Sequence, residues 1–186
     1  MVFIGVIEPM QDVCSEDTGK MRIGGIKLSR ELVQYNLHQS APINPALTSF
    51  IRQVAEGEIN LTFLSLNCSQ SGFDCSLCVA AEDRTRIEEL TASAASIELS
   101  IAVIAPVGTL TIFPHHHSLS LLGRVMGILG GAGIPMHALC TSLSSLAINT
   151  DYPVMDQAVK ELLKVLDLPL NHAPFYQESD TNGLNP

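Results

Sequence analysis

The 186-residue sequence has no tryptophan, and its aromatic residues make up only 5 % of the chain. Aromatic side chains are the platforms on which single-stranded nucleic acids stack, so such platforms are scarce here. Basic residues are also few: ten Lys and Arg stand against nineteen Asp and Glu, which leaves a net charge of −9. A phosphate backbone would meet a repulsive field, and the composition therefore argues against nucleic-acid binding.

The chain also lacks a long apolar run and a positively charged leader. Its most apolar stretch, residues 97–113, is interrupted by Glu98, Pro106 and Gly108 and falls short of the roughly 20 residues that span a bilayer. Residues 1–7 are apolar but carry no Lys or Arg, so we expect neither a secretory signal nor a membrane partner. The five cysteines are an odd number, which favours reduced thiols and a cytoplasmic location.

What the sequence does contain is an internal repeat at an offset of 75 residues. Phe50 falls opposite Val125, and Ile59 falls opposite Ile134. In each copy a strand-like segment precedes an amphipathic helix whose apolar residues follow the i, i+3, i+4, i+7 spacing. A glycine-bearing turn, which we expect to supply a left-handed helix cap, then leads to two further strands, a second helix and a last strand.

The order β-α-β-β-α-β, found twice, predicts an α+β fold of two tandem ferredoxin-like units with helices on one face of each antiparallel sheet. We expect the strands at 31–37, 59–66, 73–80 and 97–104 in the first copy, and at 108–113, 134–140, 145–149 and, more weakly, 172–177 in the second. Asp83 and Asp151 are placed to cap the second helix of each copy. The expected division is an extension at 1–22, unit 1 at 23–105, unit 2 at 106–178 and a polar tail at 179–186.

Several stretches, taken in order, resemble the paired ACT domains at the regulatory end of aspartate kinases. They read IGGIKLSR at 23–30, AEGEIN at 55–60, LCTS and LAI at 139–142 and 146–148, and DQAVKEL at 156–162. The resemblance covers about residues 23–178. No segment resembles that family's kinase domain or a Walker phosphate loop, so the resemblance implies a regulatory region without kinase activity.

The resemblance implies a non-catalytic module, without a cofactor, that binds a small amino acid where two ACT units meet. In the family the ligand carboxylate lies on the N–H groups that open each first helix, and a later strand lines the second site. The matching residues are Pro42, Ile43 and Asn44 in the first copy, and His117, Ser118, Ser120, Thr141 and Ser142 in the second. The family's Asp-x-Pro-Gly motif is missing at both places. The alternative is therefore a subunit that has lost ligand binding and docks on a partner enzyme such as an aspartate kinase.

Three smaller features complete the expectations. Adjacent residues point to opposite faces, so at most His115 and His117 of the histidine run could share a metal ion; we expect a polar loop, with effector contact as an alternative. Cys75 and Cys78 are three apart on a strand and face opposite sides, which argues against a joint zinc or redox site. Cys68 and Cys75 flank a hairpin turn as possible cross-strand neighbours, and apolar sheet edges such as 97–104 predict a homodimer.

Overall fold

The structure, a computed structural model, describes residues 19–40, 45–94, 100–114 and 118–175. The strands are β1 Met21–Arg22, β2 Gly25–Leu28, β3 Leu32–Gln39, β4 Phe63–Cys68, β5 Phe73–Ala80, β6 Ser100–Phe113, β7 Ala138–Thr141, β8 Leu146–Asp151 and β9 Leu166–Asp167. The helices are α1 Pro45–Glu56, α2 Arg84–Ala94, α3 Leu119–Gly131 and α4 Met155–Leu162. Short 3₁₀ turns at Ala81–Asp83 and Tyr152–Val154 precede α2 and α4.

The first half of the main sheet has the ferredoxin-like order that the sequence predicts. Its strands lie in the order β4-β5-β3-β6, and all of them pair antiparallel. Alternate residues of β3 such as Tyr35 and Leu37 share one buried cluster with Phe50 of α1 and Ile87 of α2. The apolar residues that the strand alternation and the helix periodicity predict therefore pack together in one buried layer.

The second half repeats this order, with the end of β6 as its first strand. Strands β6, β8 and β7 lie side by side and again pair antiparallel. Leu110 of β6 and Ile148 of β8 share a buried cluster with Val125 of α3 and Val159 of α4. The expected α+β fold with two ferredoxin-like halves is therefore confirmed.

The two halves share one strand, which the sequence pattern divides in two. In place of the separate strands expected at 97–104 and 108–113, residues 100–113 form one continuous strand, β6; residues 97–99 lie outside the described part of the chain. Val107 of β6 pairs with Leu32 on one side and with Asp151 on the other. The expected unit boundary between residues 105 and 106 thus falls inside a strand, because β6 ends the first half of the sheet and continues into the second.

The closing strand of the second half comes from the N-terminal part of the chain. Residues 172–177 were expected there, but residues 172–175 form no strand and residues 176–177 lie outside the described ranges. Instead β2 pairs antiparallel with residues 110–113 of β6, and Ile26 is only 1 % exposed in the second core. β1, expected in an N-terminal extension, pairs in parallel with β9. Residues 21–28 therefore pack with the second half, and the division into units at 22/23 and 105/106 stays a prediction.

The faces of the two halves that carry no helices meet each other. Asn149 of β8 donates from Nδ2 to Gln34 Oε1 on β3 at 2.9 Å, and its Oδ1 accepts from Thr109 Oγ1 at 2.8 Å. The same Nδ2 lies 3.1 Å from Cys78 Sγ on β5. Around this polar group, Phe63 of β4 packs with the β7 residues Ala138 and Cys140. A buried hydrogen-bond network thus joins the two halves.

One expected helix cap is confirmed, and two helix ends differ from expectation. After α3, Gly133 has φ +68° and the Ile134 N–H donates to Leu129 O at 3.0 Å, which confirms a glycine cap. After α1 the left-handed residue is Glu58, at φ 54°, rather than Gly57. Asp151 makes no side-chain cap, because a 3₁₀ turn separates it from α4; its Oδ1 lies 2.7 Å from His137 Nε2 instead. Asp83 binds Arg86 Nη1 at 2.9 Å.

Candidate functional site

The candidate site begins at the N-terminus of α3, which follows β6. Ser118 has extended backbone angles, φ −80° and ψ 110°, and its Oγ accepts from the Leu121 N–H at 3.1 Å. Ser118 is therefore the N-cap of α3 and fixes where the helix starts. The N–H groups of the first turn point outward from that end, together with the partial positive charge of the helix dipole.

A cavity of about 230 Å³ opens beside this helix end. Its residues come from the helix start, from the end of β7 and from the start of β8, and they are Ser118, Leu119, Leu121, Leu122, Thr141, Ser142 and Leu146. Pockets for drug-sized ligands measure about 300–1,000 Å³, so this cavity fits a smaller molecule.

The structure brings together three of the eight expected ligand-binding residues. Ser118, Thr141 and Ser142 line the cavity, whereas Ser120 is exposed and is not among its lining residues. The other four, which are Pro42, Ile43, Asn44 and His117, lie outside the described residues.

Sequence reasoning missed the four leucines that form the apolar wall of the cavity. Leu121 and Leu146 also belong to the second core, and Leu122 packs against it. Their periodicity reads as core packing, so nothing in the pattern marks them as lining residues. Leu119 is different: it is a large apolar residue at a helix start, almost fully exposed, and that anomaly is the one available signal.

The hydroxyl groups of Ser142 and Thr141 differ in how far they are engaged within the chain. Ser142 Oγ is 2.8 Å from Ser145 Oγ and accepts from the Ser145 N–H at 3.1 Å, so it shapes the turn before β8. Thr141 ends β7 opposite Leu146 and is exposed. Thr141 is thus the lining hydroxyl best placed to meet a ligand.

No charged side chain lines the cavity among the described residues. A helix N-terminus favours an anion, the leucine wall favours an apolar group, and the Thr141 hydroxyl can donate or accept one hydrogen bond. The arrangement suits a small carboxylate whose remaining part is largely apolar. The lining residues that the structure describes include no general acid, general base or activated nucleophile.

A second, larger cavity of about 410 Å³ lies between the residues just before β2 and the segment that begins at β9. Arg22, Asp167 and Leu170 are among its lining residues. None of the four described residues that were expected to bind a ligand is there, and Arg22 and Asp167 offer opposite charges to any ligand.

The cysteines and histidines give no joint site in the described ranges. Cys75 lies in the first core and Cys78 on the opposite face, which confirms that the two thiols diverge. Cys68 stands opposite Phe73, and Cys75 opposite Leu66, so Cys68 and Cys75 are not directly paired. No group of three His, Cys, Asp or Glu suited to a metal is found there, and residues 115–117 lie outside those ranges. Likewise, none of the helices described is long and apolar enough to cross a membrane.

Comparison with known proteins gives matches in structure only. No family model matches the sequence, and no curated protein matches it. Among solved structures, aspartokinase alpha and beta subunits match with a TM-score of 0.66 and 20 % identity, over 77 % of this chain and 97 % of theirs. The regulatory subunit of aspartate kinase from Thermus flavus matches with a TM-score of 0.68 and 11 % identity, over 77 % and 97 %. The chain has the fold of aspartate kinase regulatory subunits.

This fold assignment confirms the resemblance that the sequence motifs carry. The aspartate kinase of Clostridium acetobutylicum also matches, with a TM-score of 0.68 and 8 % identity, but the match covers 35 % of that chain against 78 % of this one. The part that matches this chain is therefore a minor part of the whole kinase, and nearly all of the separate regulatory subunit.

Proposed function

We propose that this chain is a non-catalytic regulatory subunit that binds a small amino acid in the cavity between α3 and β7. The observation that carries the proposal is the cavity itself, where the capped start of α3, four leucines and the hydroxyl of Thr141 surround a space of about 230 Å³. The fold of the aspartate kinase regulatory subunits supports a regulatory role. A cytoplasmic location, expected from the odd number of cysteines, belongs to the same proposal.

The ligand carboxylate binds the N–H groups of Leu119 and Ser120 at the start of α3. The Leu121 N–H is already taken by Ser118 Oγ, and the Leu122 N–H by Ser118 O at 3.2 Å. The first two N–H groups of the helix therefore face the ligand, where the helix dipole adds to their attraction. The ligand side chain lies against Leu122 and contacts Thr141.

The ligand ammonium group has no acidic partner among the lining residues. We infer that the ammonium group donates hydrogen bonds to backbone carbonyls or to residues of a second copy of the chain. Because of the second possibility, a homodimer is part of the proposal. The family's first site, at Pro42, Ile43 and Asn44, and the contribution of His117 remain proposals of the same kind. The partner that responds to the ligand is an enzyme chain such as an aspartate kinase.

Thermal-shift screening against the common amino acids tests this function first. A ligand that binds only the folded chain raises the melting temperature by mass action. Calorimetry then measures the Kd of each hit for the wild type, for Thr141→Val and for the control Thr48→Val, an exposed threonine on α1. Loss of one hydrogen bond predicts an affinity about three- to tenfold weaker for Thr141→Val alone. If no amino acid shifts the melting temperature, the proposed ligand class is wrong.

The second candidate is an interaction subunit that has lost ligand binding, and the absence of a charged side chain from the lining favours it. Such a chain would bind a catalytic partner chain whether or not amino acids were present. Co-purification with that partner, together with a flat thermal-shift screen, distinguishes it from the first candidate.

A further inference from the structure

The first part of β6 has a neighbouring strand on one side only. Residues 100–106 run beside β3, whereas on the other side of β6 the strand β8 pairs only with residues 107–112. No further strand in the described part of the chain lies beside residues 100–106. The N–H and C=O groups on that side have no strand partner there, and we call residues 100–106 the free edge of β6.

The free edge is apolar on both faces of the sheet. Ile101 packs with the first core, and Val103, on the same face, is 46 % exposed. On the opposite face Ile104 packs with the cluster between the two halves, and Ala102 beside it is exposed. Natural edge strands are usually protected from pairing by charges, prolines or bulges. This edge has no charged residue, and its proline, Pro106, and its register shift against β3 both lie at the end next to β8.

The outer strands of the two halves differ from this edge. On β4 the exposed Leu64 and Leu66 alternate with Ser65 and Asn67, so only one face of that strand is apolar. β7 has only four residues. Since successive side chains of a strand point to opposite faces, a segment that is apolar on both faces fits the free edge of β6 better than it fits β4 or β7.

One segment of the chain outside the described residues has this character. Residues 2–7 read VFIGVI, and most of them are β-branched or aromatic residues, which favour strands. Glu8 and Pro9 end the run. The other stretches outside the described ranges are shorter than six residues or, at 176–186, mainly polar. Residues 2–7 are therefore the part of the chain outside those ranges that matches the free edge.

Residues 2–7 can also reach the free edge. Lys20 Nζ donates to Leu163 O at 2.6 Å, just past the end of α4. From there α4 leads back over about 12 Å to the 3₁₀ turn before it, which is about 6 Å long. That turn follows Asp151, which pairs with Val107 next to the free edge. The connecting residues 8–18, when extended, span about 36–40 Å, which is about twice this path.

We propose that residues 2–7 of this chain add a strand to the free edge of β6, in line with β8. The main-chain hydrogen bonds of the added strand hold it in place, and its alternate side chains cover the apolar residues on the two faces, such as Val103. The shortest path for residues 8–18 brings Ile7 to the end at Pro106, so the added strand runs parallel to β6. The contact needs neither a ligand nor a second copy of the chain, and it is independent of the proposed function.

Tryptophan fluorescence tests the contact, because the chain has no tryptophan of its own. Phe3→Trp places one in the docking segment, and the control Val13→Trp places one in the connecting residues. We expect Phe3→Trp to emit at a shorter wavelength than Val13→Trp and to be quenched less by acrylamide. Adding Val103→Lys to Phe3→Trp should abolish both differences, since an edge lysine blocks strand addition. Adding Leu66→Lys, on β4 at a residue 45 % exposed, should leave both unchanged. Circular dichroism melts show that each variant folds.

Hydrogen exchange, followed residue by residue by NMR, tests the same contact without tryptophan. In the wild type, the amides within residues 2–7 and the outward amides of residues 101–105 should exchange roughly tenfold or more slowly than in Ile4→Asp. The control Val13→Asp, in the connecting residues, should match the wild type.

Three results overturn the proposal. The first is a wild type whose residues 2–7 exchange at the rate of an unfolded chain. The second is slow exchange at residues 101–105 that increases with protein concentration and survives Ile4→Asp, which would assign the free edge to a second copy. The third is an effect of Ile4→Asp on Phe63–Cys68 instead, which would place the segment on β4. A chain that binds no amino acid but passes these tests would refute the proposed function and leave this contact standing.

Discussion

At the scale of single residues, the buried amide of Asn149 connects the two halves of the molecule. It is fully buried and bonds both Gln34 and Thr109. Asn149→Ala would leave an acceptor and a donor buried without partners, so we expect a loss of about 2–4 kcal/mol in the free energy of unfolding. Urea denaturation measures it, with the exposed Asn67→Ala as control, expected within about 0.5 kcal/mol of the wild type. An equal effect of the two changes would contradict this role.

The buried thiols predict a loss of stability at alkaline pH. Burial raises the pKa of Cys78 to about 12 and that of Cys75 to about 11, from 9.0. The folded state therefore holds these protons at a pH where the unfolded state has released them, so the free energy of unfolding falls as the pH rises above 9. Urea midpoints at pH 8, 9.5 and 10.5 should fall in that order. The urea midpoint of the Cys78→Ala variant should fall less steeply over the same pH range. A slope equal to that of the wild type would show that burial does not hold the Cys78 proton.

The residue scale also shows what the sequence can and cannot predict. The divergence of Cys75 and Cys78 follows from strand alternation alone, and the structure confirms it. The bond of Asn149 to Gln34 does not follow, because it joins residues 115 positions apart on strands of the two different halves. The hydroxyls of the candidate site were predicted only through the family resemblance, and the leucines around them read as core.

At the scale of elements, the turn after α1 holds a non-glycine residue in a left-handed conformation. Glu58 has φ 54°, which costs an L-residue other than glycine about 1–2 kcal/mol, while glycine is more flexible in the unfolded chain. Glu58→Gly should therefore raise the free energy of unfolding by about 0.5–1 kcal/mol. Chemical denaturation measures it, and Glu56→Gly, at the last residue of α1, is the opposite control, expected to destabilise the helix. Destabilisation by Glu58→Gly would mean that the side chain makes a contact worth more than the strain.

Element types could be predicted better than element ends. β5 was expected at 73–80 and occupies Phe73–Ala80, because alternation and turn residues bound it on both sides. β4 and β7 start four residues later than expected, at Phe63 and Ala138. Ile59 and Ile134 are buried directly after the helix caps, and neither belongs to a paired strand. Apolar character alone does not separate these two roles.

At the scale of the whole molecule, the pairing of β2 with β6 determines which half needs the N-terminal segment. No local pattern predicts this pairing, since residues 25–28 and 110–113 are far apart in sequence. Ile26→Ala should lower the free energy of unfolding by about 2–4 kcal/mol, because it leaves a cavity in the second core. The control Arg30→Ala, at an exposed residue, should change it little. Hydrogen exchange then locates the effect, with faster exchange expected in β8 and α4. Loss of protection confined to β3 and β5 would place β2 with the first half instead.

The central claim is that a small amino acid binds at the start of α3, and a crystal structure with the best ligand from the thermal-shift screen tests it most directly. The account predicts ligand density between α3 and β7, with the carboxylate within hydrogen-bond distance of the Leu119 and Ser120 nitrogens and the side chain against Leu122 and Thr141. Density beside Arg22 and Asp167 instead, or an empty α3 cavity at a ligand concentration that saturates the protein in solution, would contradict it.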